Sequence, residues 1–187
     1  MILVNGDSFT AGEESPVAWP DLVADTVNIA TPGASNDHIA LSTVGYIEDH
    51  SHIDRAIIAW TTPNRISINN KHLTPTSQRR YGEIVEHVFQ DWDEEWAWQR
   101  FQNTVSQLHG YLEHKQIAHV FVSTFGIPAG TMQGRWYWMD WHTEGMVEWM
   151  RDCAKGAGGH PLELGQQDRK STRLNSSHTD ISRMPSS

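Results

Sequence analysis

The chain alternates short, nearly continuous apolar runs with longer stretches in which apolar residues recur every three or four positions. The first run, residues 1–4, stops at Asn5-Gly6, which reads as a buried strand entering a tight turn. Ser15-Pro16 has the form of a helix cap followed by proline at the first helical position. Ala18, Trp19, Leu22, Val23 and Val27 are helically spaced, and they predict a helix over 18–27. A second strand over 27–30 is broken by Thr31-Pro32-Gly33, and a helix is predicted from about 36 to 48. Residues 54–60 lack alternation, which suits a central strand covered on both faces. Between about 66 and 98 the pattern lapses into Asn69-Asn70, Pro75, Gln78-Arg79-Arg80 and an acidic, tryptophan-rich stretch, predicting an insertion. Within it Trp92 and Trp96 are four apart and share one helix face. A longer helix running to about 115 carries the stripe Phe101, Val105, Leu108 and Leu112. A fourth strand spans 117–123, Gly126-Ile127-Pro128 bounds it, and a short helix is predicted over 145–151.

Composition narrows the function. The chain has 187 residues with 14 Lys and Arg against 23 Asp and Glu, net charge −9, which argues against a broad nucleic-acid surface. No apolar run approaches the roughly twenty residues of a membrane span, and the amino terminus lacks a secretory pattern. With Cys153 as the single cysteine, a reducing, cytoplasmic setting is expected. The eleven histidines show no His-x-x-x-His spacing beside an acid, so no metal site is expected.

Residues 168–187, beginning Asp168-Arg169-Lys170-Ser171-Thr172-Arg173, resemble the translation of a sequencing adapter. They are expected to form an artefactual tail, leaving one natural domain over 1–167 with its last helix cut short.

Two motifs at opposite ends of this domain carry a resemblance. Gly6-Asp7-Ser8 follows the first strand, and His160-Pro161 stands about 150 residues later. In this order they resemble blocks I and V of the GDSL/SGNH hydrolase superfamily, whose compact forms recur in phages and environmental microbes. The resemblance implies a three-layer α/β/α, flavodoxin-like fold with a parallel sheet of four to five strands. It also implies a serine esterase that needs no cofactor and acts on a small-molecule or glycan ester, such as a sugar-borne acetyl group.

Residue by residue, the resemblance makes Ser8 the nucleophile and His160 the general base. The backbone N–H groups of Ser8 and Gly33 would hold the oxyanion. Asn36, near a helix start, could cap that helix or turn its amide toward the pocket. The family's Gly-x-Asn-Asp after the third strand is replaced by Trp60-Thr61-Thr62-Pro63, leaving Thr62 or Thr61 to supply a donor. The usual Asp-x-x-His is also absent, because Ala157 stands three before His160. Asp152, Asp140, a backbone carbonyl or no group at all could orient the histidine. Trp60, Arg65, Trp136 and Trp138 are candidates for contact with substrate. Arg65 is suited to a carboxylate or phosphate but equally to a structural salt bridge. The departures also fit a second reading, a non-catalytic carbohydrate-binding or structural module on the same scaffold.

Overall fold

The structure, a computed structural model, describes residues 1–69, 71–75, 78–126, 155–157, 160 and 162. Strand β1 (Ile2–Asn5) leads through a one-turn helix α1 (Ser8–Ala11) to β2 (Thr26–Asn28), helix α2 (Asn36–Asp49) and β3 (Arg55–Trp60). A hairpin of β4 (Ile66–Ile68) and β5 (Lys71–Leu73), helices α3 (Gln78–Phe89) and α4 (Glu94–His114), and β6 (Ala118–Ser123) follow.

Four strands form a parallel sheet in the order β2-β1-β3-β6. Parallel strands need crossovers: the chain passes through α1 from β1 to β2, through α2 from β2 past β1 to β3, and through the hairpin, α3 and α4 from β3 to β6, and α2 and α4 pack against each other. The core lies between these layers. Leu3, Ala56, Ile58 and Trp60 from the strands meet Ile39 and Ile47 of α2 and Phe101, Val105, Leu108 and Leu112 of α4. The apolar stripe of α4 is therefore buried as its spacing predicts. Asp93 caps α4 by accepting from the backbone N–H groups of Glu95 and Trp96, and Glu94 and Glu95 add negative charge where the helix dipole favours it.

The sequence pattern misleads over 18–27. The chain makes only a single 3₁₀ turn there, Trp19–Leu22. Val23 leaves the turn in an extended conformation, and Thr26 Oγ1 donates to Pro20 O and Val23 O, ending the turn before β2. Of the region 66–98, β4 and β5 form the hairpin, α3 follows, and 94–98 already belong to α4. The hairpin is pinned to the start of α2, where Ser67 Oγ lies 2.8 Å from both Ser35 Oγ and His72 Nδ1. Ile66 and Leu73 close a small apolar cluster with Val85 of α3. The helix expected over 145–151, the truncated last helix and residues 168–187 lie outside the described residues.

The register sets the carboxyl ends of three strands side by side: Asn5 pairs with Ile58, and Trp60 with Ser123. Ligands of open α/β sheets bind beyond this edge.

Candidate active site

Ser8 opens α1 directly after β1. Gly6 makes the corner possible, since a Cβ there would stand 2.5 Å from Thr10 Oγ1 and 2.9 Å from Ala59 Cβ. Asp7 caps α1 through Phe9 N–H, and its wholly buried carboxylate ties three strand ends together. It accepts from Thr61 Oγ1 beyond β3 at 2.8 Å, Arg65 Nη1 at 3.3 Å and Thr124 Oγ1 beyond β6 at 3.3 Å. A buried carboxylate needs several donors of this kind to offset its lost hydration. The result is a rigid platform under Ser8.

His160 reaches this platform from the far end of the chain. Its Nε2 lies 2.8 Å from Ser8 Oγ, and its Nδ1 lies 3.0 Å from Glu14 Oε2. Glu14 also accepts the His160 backbone N–H at 3.2 Å, so one carboxylate oxygen grips both ring and main chain. A carboxylate only accepts. Nδ1 therefore carries the proton in the neutral ring, and Nε2 is left to accept from the Ser8 hydroxyl. Phe9 stacks at a tilt against the imidazole, with ring centroids 4.9 Å apart.

The local chain path explains how Glu14 arrives there. Gly12 ends α1 in the left-handed conformation at φ 74°, and Glu14 itself sits at φ 68°. A left-handed non-glycine residue is costly and persists where surrounding contacts fix it. On the other side Gly156 N–H donates to His160 O at 2.9 Å. A Cβ on Gly156 would stand 2.7–2.8 Å from the Glu14 carboxyl atoms, so only glycine lets that turn close over the acid. Glu13, half exposed, has an oxygen 3.6 Å from His160 Nε2 and would meet a protonated ring there.

The remaining sequence candidates fare differently. Thr31 N–H donates to Gly6 O at 3.1 Å, which brings the loop bearing Gly33 against the Ser8 corner. Asn36 neither caps α2, since Ser35 does, nor offers its amide to a pocket. Its Nδ2 donates to Thr61 O at 3.1 Å and Thr62 O at 3.3 Å, and its Oδ1 accepts Thr61 N–H at 2.9 Å. It is 2% exposed and clamps α2 to the corner after β3. Thr61 is likewise committed, through its hydroxyl to Asp7. Thr62 Oγ1 accepts from Asn64 N–H at 3.4 Å.

Trp60 is not a substrate contact. It is 0% exposed and packs edge-on against Phe101 and Phe121, because it shares the inward face of β3 with Ala56 and Ile58. Arg65 is committed to Asp7, and its guanidinium lies 5.7 Å from the Phe125 ring centroid. Trp136, Trp138, Asp140 and Asp152 lie outside the described residues.

A pocket of about 240 Å³ opens at the same sheet edge, lined by Thr61, Thr62, Asn64, Glu94, Trp98 and Phe125 among others. Its Phe125 wall meets Phe9, the neighbour of Ser8, edge-on at 6.0 Å between centroids. Arg100 braces the pocket's loop by donating to Pro63 O at 3.1 Å and Arg65 O at 2.7 Å. Glu14 is the functional candidate that sequence reasoning did not name. Its nearness to Ser8 in the chain was visible, whereas its pairing with a histidine 146 positions away was not.

No family model matches the chain, and no curated protein is detectably similar to it in sequence. Solved structures are similar in fold. The esterase EstA from Pseudoalteromonas sp., in a structure inhibited by monoethylphosphonate, superposes with a TM-score of 0.61 at 12% identity. The match covers 97% of this chain and 98% of that one. A member of the lipolytic protein G-D-S-L family from Veillonella parvula superposes with a TM-score of 0.53, at 12% identity over 98% of each chain. The chain therefore has the α/β fold of the GDSL proteins, as its motifs imply.

Proposed function

We propose that the protein is a serine ester hydrolase acting on small acyl esters. The contact that carries this reading is His160 Nε2 at 2.8 Å from Ser8 Oγ. A serine bonded to an imidazole that is itself held by a carboxylate is the arrangement of an activated nucleophile.

In this reading His160 takes the Ser8 proton as Oγ adds to the ester carbonyl carbon. The tetrahedral oxyanion is held by the backbone N–H groups of Ser8 and Gly33. Asn36 and Thr61 are engaged elsewhere, so these two carry the load, each worth roughly 10²–10³ in rate. His160 Nε2–H then protonates the departing alcohol oxygen. Water, deprotonated by the same nitrogen, attacks the acyl-enzyme and releases the acid. Glu14 keeps Nδ1–H pointed away from the serine and stabilises the imidazolium formed midway. The similar fold of an esterase supports the reaction class.

The substrate reading draws on the pocket beside the Ser8 corner, which neither Ser8 nor His160 lines. Its volume of about 240 Å³ falls below the roughly 300–1,000 Å³ of sites for drug-sized ligands, which favours a short acyl group. Trp98 offers a flat apolar face within it, suited to a sugar ring, so a sugar-borne acetyl ester is the preferred substrate. Trp92 and Trp96 lie nearby, edge-on to each other at 5.6 Å between centroids.

Hydrolysis of p-nitrophenyl esters of increasing chain length by wild type and Ser8→Ala tests the reading. Turnover of the acetate is expected to fall by at least about 10³-fold in the mutant, with acetate and butyrate preferred over longer chains. Wild-type turnover no faster than the mutant's would leave the alternative, a binding module on this scaffold.

A further inference from the structure

The amino-terminal end of the sheet, opposite Ser8, holds a second group of converging side chains. His109 and Glu113 are four apart near the end of α4 and so lie on one helix face. His119 is the second residue of β6, the strand that α4 leads into. His119 Nδ1 lies 3.0 Å from Ile117 O, and its Nε2 lies 2.7 Å from His109 Nδ1. The carbonyl can only accept, so Nδ1 of His119 carries its proton and the Nε2 lone pair faces His109. One ligand atom from each of His109, Glu113 and His119 can be chosen so that all lie within 4.8 Å of one another.

We propose that His109, Glu113 and His119 form a binding site for one divalent transition-metal ion, for which zinc is the best match. Two imidazoles and a carboxylate are a donor set zinc accepts, with water in the fourth position. The bond from His119 Nδ1 to Ile117 O has the form found behind metal-bound histidines, where the second ring nitrogen donates to a carbonyl and fixes the tautomer.

The proton balance is simple. In the metal-free pair His109 Nδ1–H donates to His119 Nε2. On binding, that proton moves to His109 Nε2, Nδ1 becomes the second nitrogen ligand, and neither ring loses net charge or proton. The two ligating nitrogens have to separate from 2.7 Å to roughly 3.3 Å, the spacing of two ligands about 2.0–2.1 Å from a tetrahedral ion, and both rings have to tilt so that their lone pairs meet at it. Glu113 is exposed, and its Oε1 lies 3.9 Å from His119 Nδ1, so its carboxylate has to swing from that side of the ring toward the ion. The carbonyl end of α4 favours a cation nearby. The site would staple α4 to β6 rather than join the Ser8 chemistry, and it stands independently of the esterase reading.

The test uses the full-length protein after chelator treatment and buffer exchange. Calorimetric titration with zinc chloride should show one saturable site, weakened roughly tenfold or more in both His109→Ala and Glu113→Gln. With free zinc about 100-fold above Kd, the wild-type melting temperature should rise by roughly 5–10 °C and that of His109→Ala should not. Glu113 is exposed, so its variant remains informative if His109→Ala does not fold. No saturable binding, or equal affinity in both variants and wild type, would overturn the proposal.

Discussion

The corners that follow β1 and β3 sit side by side at one sheet edge and use their polar groups in opposite ways. After β3, Thr61 is held by Asn36 of α2 and, together with Arg65, holds Asp7, so this corner is a brace. After β1, Asp7 belongs to the brace, but the next residues of consequence, Ser8 and Glu14, turn outward to meet His160. The contrast locates the departures from the family pattern. Where the third-strand corner of the GDSL/SGNH family offers an asparagine to the oxyanion, the corresponding position here is Thr62, and its neighbour Thr61 is held by Asn36 and Asp7. Where the family puts an acid three residues before its histidine, this chain has Ala157 and brings an acid from the nucleophile's own turn.

Mutations can sharpen the contrast. The largest effect is expected from Glu14→Gln, which keeps shape but removes the charge that orients and stabilises His160. The ester turnover number should drop by roughly 10²–10⁴-fold with little change in melting temperature, and Glu14→Asp should recover part of it. An unchanged turnover number would remove Glu14 from the mechanism. Next comes Arg65→Met, which strips a partner from the buried Asp7. Loss of one member of such a pair costs up to about 3–5 kcal/mol, moderated here by the threonine hydroxyls that remain. A fall of roughly 6–12 °C in melting temperature is expected. Asn36→Ala should have the smallest effect, about 1–3 kcal/mol for leaving the buried Thr61 N–H unpaired. At saturating substrate it should leave the turnover number within a few fold. A hundredfold loss of turnover in a folded Asn36→Ala protein would mean that its amide serves the oxyanion after all.

The same contrast separates what the sequence made legible from what it hid. The four sheet strands could be read because buried parallel strands are nearly continuous apolar runs. The stripe of α4 could be read because a helix on a sheet must repeat its apolar face. Ser8 and His160 could be named because they sit in short motifs at a fixed order. Trp60 was misassigned although the pleat held the answer, since it shares parity with Ala56 and Ile58 and so faces inward. Asn36 looked like a cap because capping is local, whereas its three partners lie 25 or 26 positions away. Glu14 and the His109–His119 pair were hidden for one reason. Each depends on a turn or crossover that brings unrelated stretches together, and no spacing along the chain encodes that meeting.

Everything that grips the His160 side chain and its backbone N–H through Ser8 and Glu14 comes from a single turn of seven residues. The proposed catalytic groups are thus one turn and one histidine that meets it, not three independently placed groups. In the proposed mechanism, any displacement of His160 from that turn would break its contacts with Ser8 and Glu14 together.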